Sequence, residues 1–258
     1  MAVSLLPLTT IPIVAPGDDL VDLIARSLDR ESVALEDGDV VVVTGKIVSK
    51  AEGRLVDLGT IQPSERAVRL AAETDKDPRL VELVLRESSE VVRARPNVLL
   101  VRHRRGWVSA VAGIDRSNVE GDDEHALLLP ADPTASAAQL REGLRARTGA
   151  TVGVIVTDSH GRPFRVGNMG VALGAAGVQC VRRLEGHPDL TGRPLTTASV
   201  VPLADLLASA SLLVSGEADE GIPVVIVRGL DVAGDEDASS LVREPGADLF
   251  AVPDREYA

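Results

Sequence analysis

The stretch DGDVVVVTGKIVSKAEGR, residues 37–54, decides the class of fold. Glu36-Asp37-Gly38 is a turn signal, and the run Val40 to Val43 behind it is continuously β-branched, without polar alternation. Such a run fits a strand buried on both faces. It gives way at once to Thr44-Gly45-Lys46, so a buried strand delivers polar and cationic groups at its end. In α/β folds, ligands gather at strand ends. The lysines sharpen the point: the chain has only Lys46, Lys50 and Lys76, its other basic residues being arginine. Two of the three stand directly after this strand, where a compact point charge suits phosphate oxygens. Chance accounts for their placement equally well.

Working outward, Asp18 and Asp19 can cap a helix carrying Leu20, Leu23 and Ile24. Downstream, Pro63-Ser64 starts a second helix and Asp77-Pro78 a third, with Asp as N-cap and Pro in the first turn. Residues 97–101 and 107–112 read as strands around the turn Arg104-Arg105-Gly106. A helix fits 135–147, stopped by Gly149, and 151–157 is a second buried strand. Residues 203–214 are helical in spacing, and 223–227 form a last strand before the acidic segment Gly234 to Asp237. Strands and helices alternate across short turns, with no repeat or long linker. The prediction is one α/β domain over 1–258, with a mixed sheet or two sheets.

Composition excludes several functions. A net charge of -12 opposes a nucleic-acid or anionic-membrane partner. The aromatic residues Phe164, Phe250, Trp107 and Tyr257 are too few for a nucleobase-stacking platform. The single cysteine, Cys180, leaves no intrachain disulfide or cysteine-based zinc site and suits a reducing, cytoplasmic setting. Its apolar GVQCV context reads as a buried small side chain. The apolar N-terminus lacks a leading basic residue and is broken by Pro7, Pro12 and Pro16, unlike a signal peptide. No stretch is long and apolar enough to span a bilayer, so a soluble protein is expected.

Four segments combine glycine with carboxylates, hydroxyls or amides at the ends of predicted strands: 44–54, AGIDRSN at 112–118, TDSHGRPFR at 157–165 and SGEADEGIP at 215–223. Asp115 and Asn118 can face one ligand across a turn, although an ordinary Asx-turn is the simpler reading. Asp158-Ser159, straight after an apolar run, offers oxygens to a hard cation such as Mg²⁺ or Mn²⁺, or merely caps a turn. Glu217 can supply a third carboxylate, or its loop is simply solvated. Carboxylates at separate strand ends suit a two-metal phosphate site. Neither a P-loop nor a G-x-G-x-x-G fingerprint is present, so any nucleotide sits in a different cradle. The four histidines show no zinc-site spacing, and Ser159 beside His160 does not make a triad. Arg104, Arg105, Arg162, Arg165, Arg182 and Arg183 are the local cations available to an anionic substrate.

Together, KIVSKAEGR, GIDRSNV, TDSHGRPFR and SGEADEGIP, in this order, resemble the coenzyme F420-0:L-glutamate ligase family. The likeness runs from about residue 5 to about residue 235. It implies an unusual two-lobed α/β fold that dimerises through intertwined subunits. It also implies a GTP-dependent reaction in which a carboxylate of the deazaflavin precursor F420-0 becomes an acyl phosphate and L-glutamate displaces phosphate. Two divalent ions, Mg²⁺ or Mn²⁺, and K⁺ accompany that activity. Carried over by position, Asp115 and Asp158 match a first metal site, and Ser159 with Glu217 a second. Lys50, Asn118, Ile11, Pro12, Ile13 and Val14 match nucleotide-contacting positions, as do Gly216, Glu217, Ala218, Asp219, Glu220, Gly221, Ile222 and Pro223. Gly45 stands where some members have Ser, so a nucleotide contact there would use the backbone. Ala218-Asp219-Glu220 carries more acid and less glycine than the family's Gly-Gly-Asp. Asp115, Asp158 and Lys50 are the expected catalytic residues. Other readings of the same residues are a nucleotide- or deazaflavin-binding module without activity, and an amide ligase for another acid or amino acid.

Overall fold

The computed structural model describes residues 2–116, 124–196 and 200–248. In chain order these form β1 (Ser4–Leu8), α1 (Leu20–Glu31), β2 (Val40–Thr44), α2 (Gly45–Ala51), β3 (Leu55–Asp57), α3 (Glu65–Thr74), α4 (Pro78–Arg86), β4 (Ser88–Arg95) and β5 (Val98–His103). Then come β6 (Val108–Ala110), β7 (His125–Leu127), α5 (Pro133–Thr148), β8 (Gly153–Gly161), β9 (Asn168–Ala176), β10 (Val181–Arg183), β11 (Val200–Pro202), α6 (Leu203–Ser215) and β12 (Val224–Arg228). The class is the expected mixed α/β. Among the described residues no helix is long and apolar enough to cross a membrane.

The main sheet has the order β1-β12-β2-β8-β9. β2 and β8 run parallel, from Val40 beside Gly153 to Thr44 beside Thr157, and the other neighbours are antiparallel. The two β-branched runs therefore lie side by side at its centre. Val40 to Val43 and Val154 to Val156 are at most 2% exposed, which is why neither run alternates. On one face, α1 and α5 press Ile24, Leu28, Leu140 and Leu144 onto Val41, Val43, Val154 and Val156. On the other, α6 sets Ala204 and Leu207 over Val40, Val42 and Ile155. Buried side chains such as Leu144 and Ile155 contribute roughly 1.5–3 kcal/mol each. A third cluster belongs to a second lobe, where Leu80, Val81 and Val84 of α4 and Ala67 of α3 meet Leu99 and Val101 of β5.

Several boundaries differ from the sequence expectation. β8 does not end at Thr157 but runs on through Asp158 and Ser159 to Gly161, because β9 pairs with it along that whole length. Residues 107–112 yield only the short β6, after which the chain turns through Val111 and Ala112 at φ of 45° and 57°. Residues after Thr44, to which the sequence assigned no element, form the helix α2, and α5 starts two residues earlier than the spacing suggests, on the cap Asp132.

Candidate functional site

β8 outruns its neighbour. Its pairing with β2 ends at Thr44 and Thr157, where β2 turns into α2, yet β8 continues to Gly161 against β9 alone. From Asp158 onward, its other edge stands above the ends of β2 and β12. A cavity of about 990 Å³ opens there, at the large end of the roughly 300–1,000 Å³ of small-molecule sites. Its walls are residues 11–14, the start of α2, the turn after β6, the edge of β8, the last turns of α6 and the loop before β12.

The cavity gathers most of the residues singled out from sequence. Ile11, Pro12, Ile13, Val14, Gly45, Lys50, Asp115, Asp158, Ser159, Glu217, Ala218, Asp219, Gly221, Ile222 and Pro223 all line it. Gly216 and Glu220 do not. The Glu220 carboxylate folds back to accept from the Ala218 N–H at 2.9 Å, which holds its carboxyl below the ordinary range. It thereby lies over Gly216, whose φ of 68° and lack of a Cβ leave room for it. Asn118 lies outside the described residues.

Three carboxylates in the cavity, those of Asp158, Asp115 and Glu217, are held by partners that the sequence did not reveal. Asp158 Oδ2 meets His160 Nε2 at 3.1 Å, and that imidazole is 8% exposed. The two side chains share a face of β8 because strand residues repeat every second position. Asp115 Oδ2 pairs with Lys46 Nζ at 2.7 Å. Its backbone is pinned by N–H and carbonyl bonds to Leu127, just after the left-handed turn at Val111 and Ala112. Left-handed conformation at residues with side chains costs on the order of 1–3 kcal/mol each and concentrates at functional sites. Glu217 Oε2 accepts from Asn168 Nδ2 at 2.9 Å, joining the loop before β12 to the first residue of β9. Lys46, His160 and Asn168 also line the cavity. Of these, only Lys46 carried a signal, through the scarcity of lysine.

Asp115, Asp158, Ser159 and Glu217 present only oxygen donors, the type that hard divalent cations take. They are distributed around the wall: among the described residues, no three Asp, Glu, His or Cys side chains group closely enough to hold a metal ion. Cys180 is fully buried against α6, and burial first, with Glu236, Asp237 and Asp205 adding, pushes its thiol up to about 12. It is the inert small side chain that its context suggests.

Fold and site together define a class: a mixed α/β protein whose central parallel strands end at a deep chamber walled by oxygen donors and lysines. Comparison with known proteins gives that class a family. Residues 9–229 match the model of the F420-0:gamma-glutamyl ligase family, and the chain belongs to it. It is 48% identical to the coenzyme F420:L-glutamate ligase of Methanopyrus kandleri, over 92% of this chain and 93% of that one. It is 44% identical to the enzymes of that name from Methanothermobacter thermautotrophicus, over 97% and 99%, and Archaeoglobus fulgidus, over 97% and 97%.

Proposed function

We propose that the chain is a GTP-dependent ligase, working as a homodimer with divalent cations and K⁺, that joins L-glutamate to coenzyme F420-0. The observation that carries this reading is the convergence of Asp115, Asp158, Ser159 and Glu217 with Lys46 and Lys50 around one chamber large enough for a nucleotide and an acceptor together. The names of the relatives supply the substrates.

The reaction falls into two displacements. A carboxylate oxygen of F420-0 attacks the γ-phosphorus of GTP, the bond to the β-phosphate oxygen breaks, and GDP leaves. The amine of glutamate, freed of one ammonium proton, then attacks the acyl-phosphate carbonyl carbon; the bond from that carbon to the phosphate oxygen breaks, phosphate leaves, and a second proton is lost as the amide forms. Lys50 and Lys46 neutralise phosphate oxygens as charge shifts to the leaving group. Residues 11–14, 217–219 and 221–223 wall the nucleotide, and the apolar face of α6, with Ala208 and Leu212, keeps water from the acyl phosphate. Asp115 with Asp158, and Ser159 with Glu217, would each supply only part of a divalent cation's oxygen ligands, in keeping with their spread around the wall; such cations would supply charge neutralisation at the transferring phosphoryl group. His160 and Asn168 fix the rotamers of Asp158 and Glu217 for that task.

The test is mass spectrometry of F420-0 incubated with the protein, GTP, Mn²⁺, K⁺ and L-glutamate, beside Asp158→Asn. Glutamyl increments with GDP release from the parent, and none from a folded variant, are expected. Near-normal turnover by the variant would sink the role of Asp158.

A further inference from the structure

Six arginines are equal in sequence as partners for an anionic substrate, and the structure separates them. Arg104 is committed to Glu87 at 2.7 Å and Arg105 to Asp132 at 3.2 Å. Arg182 donates to the Gln179 side chain and the Asp231 carbonyl, and Arg183 follows it on β10, away from the residues that line the chamber. Arg162 and Arg165 differ. They stand in the turn between β8 and β9, whose two stems, Gly161 and Asn168, both line the chamber. Among the described residues, neither pairs with a carboxylate.

Arg162 Nη1 reaches back to Met169 Sδ at 2.8 Å. Met169 lies opposite His160 in the ladder, and directly opposed residues share a face. The guanidinium is therefore on the face that carries Asp158. A thioether is a weak acceptor, so most of the guanidinium's donors stay available to an oxyanion. Between the two arginines stands Phe164, 90% exposed in a chain with only four Phe, Tyr and Trp residues. Its φ is 59°, in the left-handed region that residues with side chains rarely adopt. An exposed ring in a left-handed turn whose stems line the chamber, with Arg162 and Arg165 on either side of it in the sequence, has the parts needed to grip a flat, anionic ligand. The ring takes an aromatic face and the guanidiniums take its anionic groups.

We infer that Arg162, Phe164 and Arg165 bind the acyl substrate, fixing its flat heterocycle and anionic groups at the mouth so that its carboxylate reaches inward past Asp158. The inference rests on the ligase reading and deepens it, placing acceptor specificity on this turn and apart from the nucleotide walls.

The test is equilibrium dialysis of F420-0 against the full chain with GDP and Mn²⁺ present, for the parent, Phe164→Ala and Arg165→Gln. KM for F420-0, calorimetric GDP affinity and sedimentation are measured alongside. Each variant should weaken F420-0 binding and raise its KM by roughly tenfold, with GDP affinity and sedimentation as in the parent. Unchanged F420-0 affinity in both variants, beside a parent that binds it, would overturn the inference and leave the ligase reading standing. Weakened binding together with altered sedimentation would also overturn it, since the turn would then serve contact with a second copy. A parent that neither binds nor glutamylates F420-0 would remove the ligase reading itself.

Discussion

Asp115 and Glu217 at the chamber are held by partners distant in sequence, and the same is true of Glu87 outside it. Glu87, the residue after α4, faces His103 at 3.7 Å, Arg104 at 2.7 Å and Arg54 at 3.6 Å. The His103 imidazole first, then the Arg104 and Arg54 guanidiniums, hold its carboxyl below the ordinary 4.5 against the opposing pull of burial. A depressed folded value means that Glu87 adds stability above its unfolded value, and that this stability fades as pH falls through the folded one. Glu87→Gln should therefore cost on the order of 1–2 kcal/mol at pH 7, and the gap from the parent should close below about pH 4. Urea midpoints between pH 7 and pH 3 measure this, and a gap that does not vary with pH would contradict it. The same long reach limited what the sequence could reveal about the site. Asp115, Asp158, Glu217 and Lys50 were legible as chemical types at strand ends. The clasp from Asn168 to Glu217 spans 49 positions and leaves no local trace.

At the scale of elements, legibility followed the range of the signal. Helix starts were readable because capping is local: Asp19 accepts from the N–H groups of Val21 and Asp22, Ser64 from Ala67 and Asp77 from Arg79. Strands β1, β4 and β9 were not readable. Pro7 sits in β1, which tolerates it as an edge strand. β4 is half-polar and shifts register twice against β5. The composition of β9 answers to the helix above it: a Cβ on Gly170 would collide with the Ala208 carbonyl of α6. Gly170→Ala should thus cost about 1–3 kcal/mol through overpacking. By lifting α6, which brings Ala208, Ser211 and Leu212 to the chamber, it should also weaken GDP binding. Chemical denaturation with calorimetry checks both effects, and a variant unchanged in both would show that the helix does not set this wall.

For the whole molecule, the chamber depends on two lobes meeting. Asp158 and Glu217 come from the main sheet's side, whereas Asp115 follows Ile114, whose side chain belongs to the second lobe's core. Arg54 ties the halves, donating to the Leu129 carbonyl at 3.0 Å and facing Glu87. The two β-branched runs announced a buried sheet. That residues 40–44 and 153–157 would pair in parallel, with β8 then continuing alone to build the wall, is a long-range outcome that no window of sequence contains. The most direct test of the account follows oxygen from acid to phosphate. F420-0 labelled with heavy oxygen in its carboxylate is incubated with the protein, GTP, Mn²⁺, K⁺ and L-glutamate, and product and phosphate are weighed by mass spectrometry. A glutamylated product and one labelled oxygen in each phosphate released are expected. Glutamylated product with unlabelled phosphate, or no product from folded protein that binds GDP, would contradict the account.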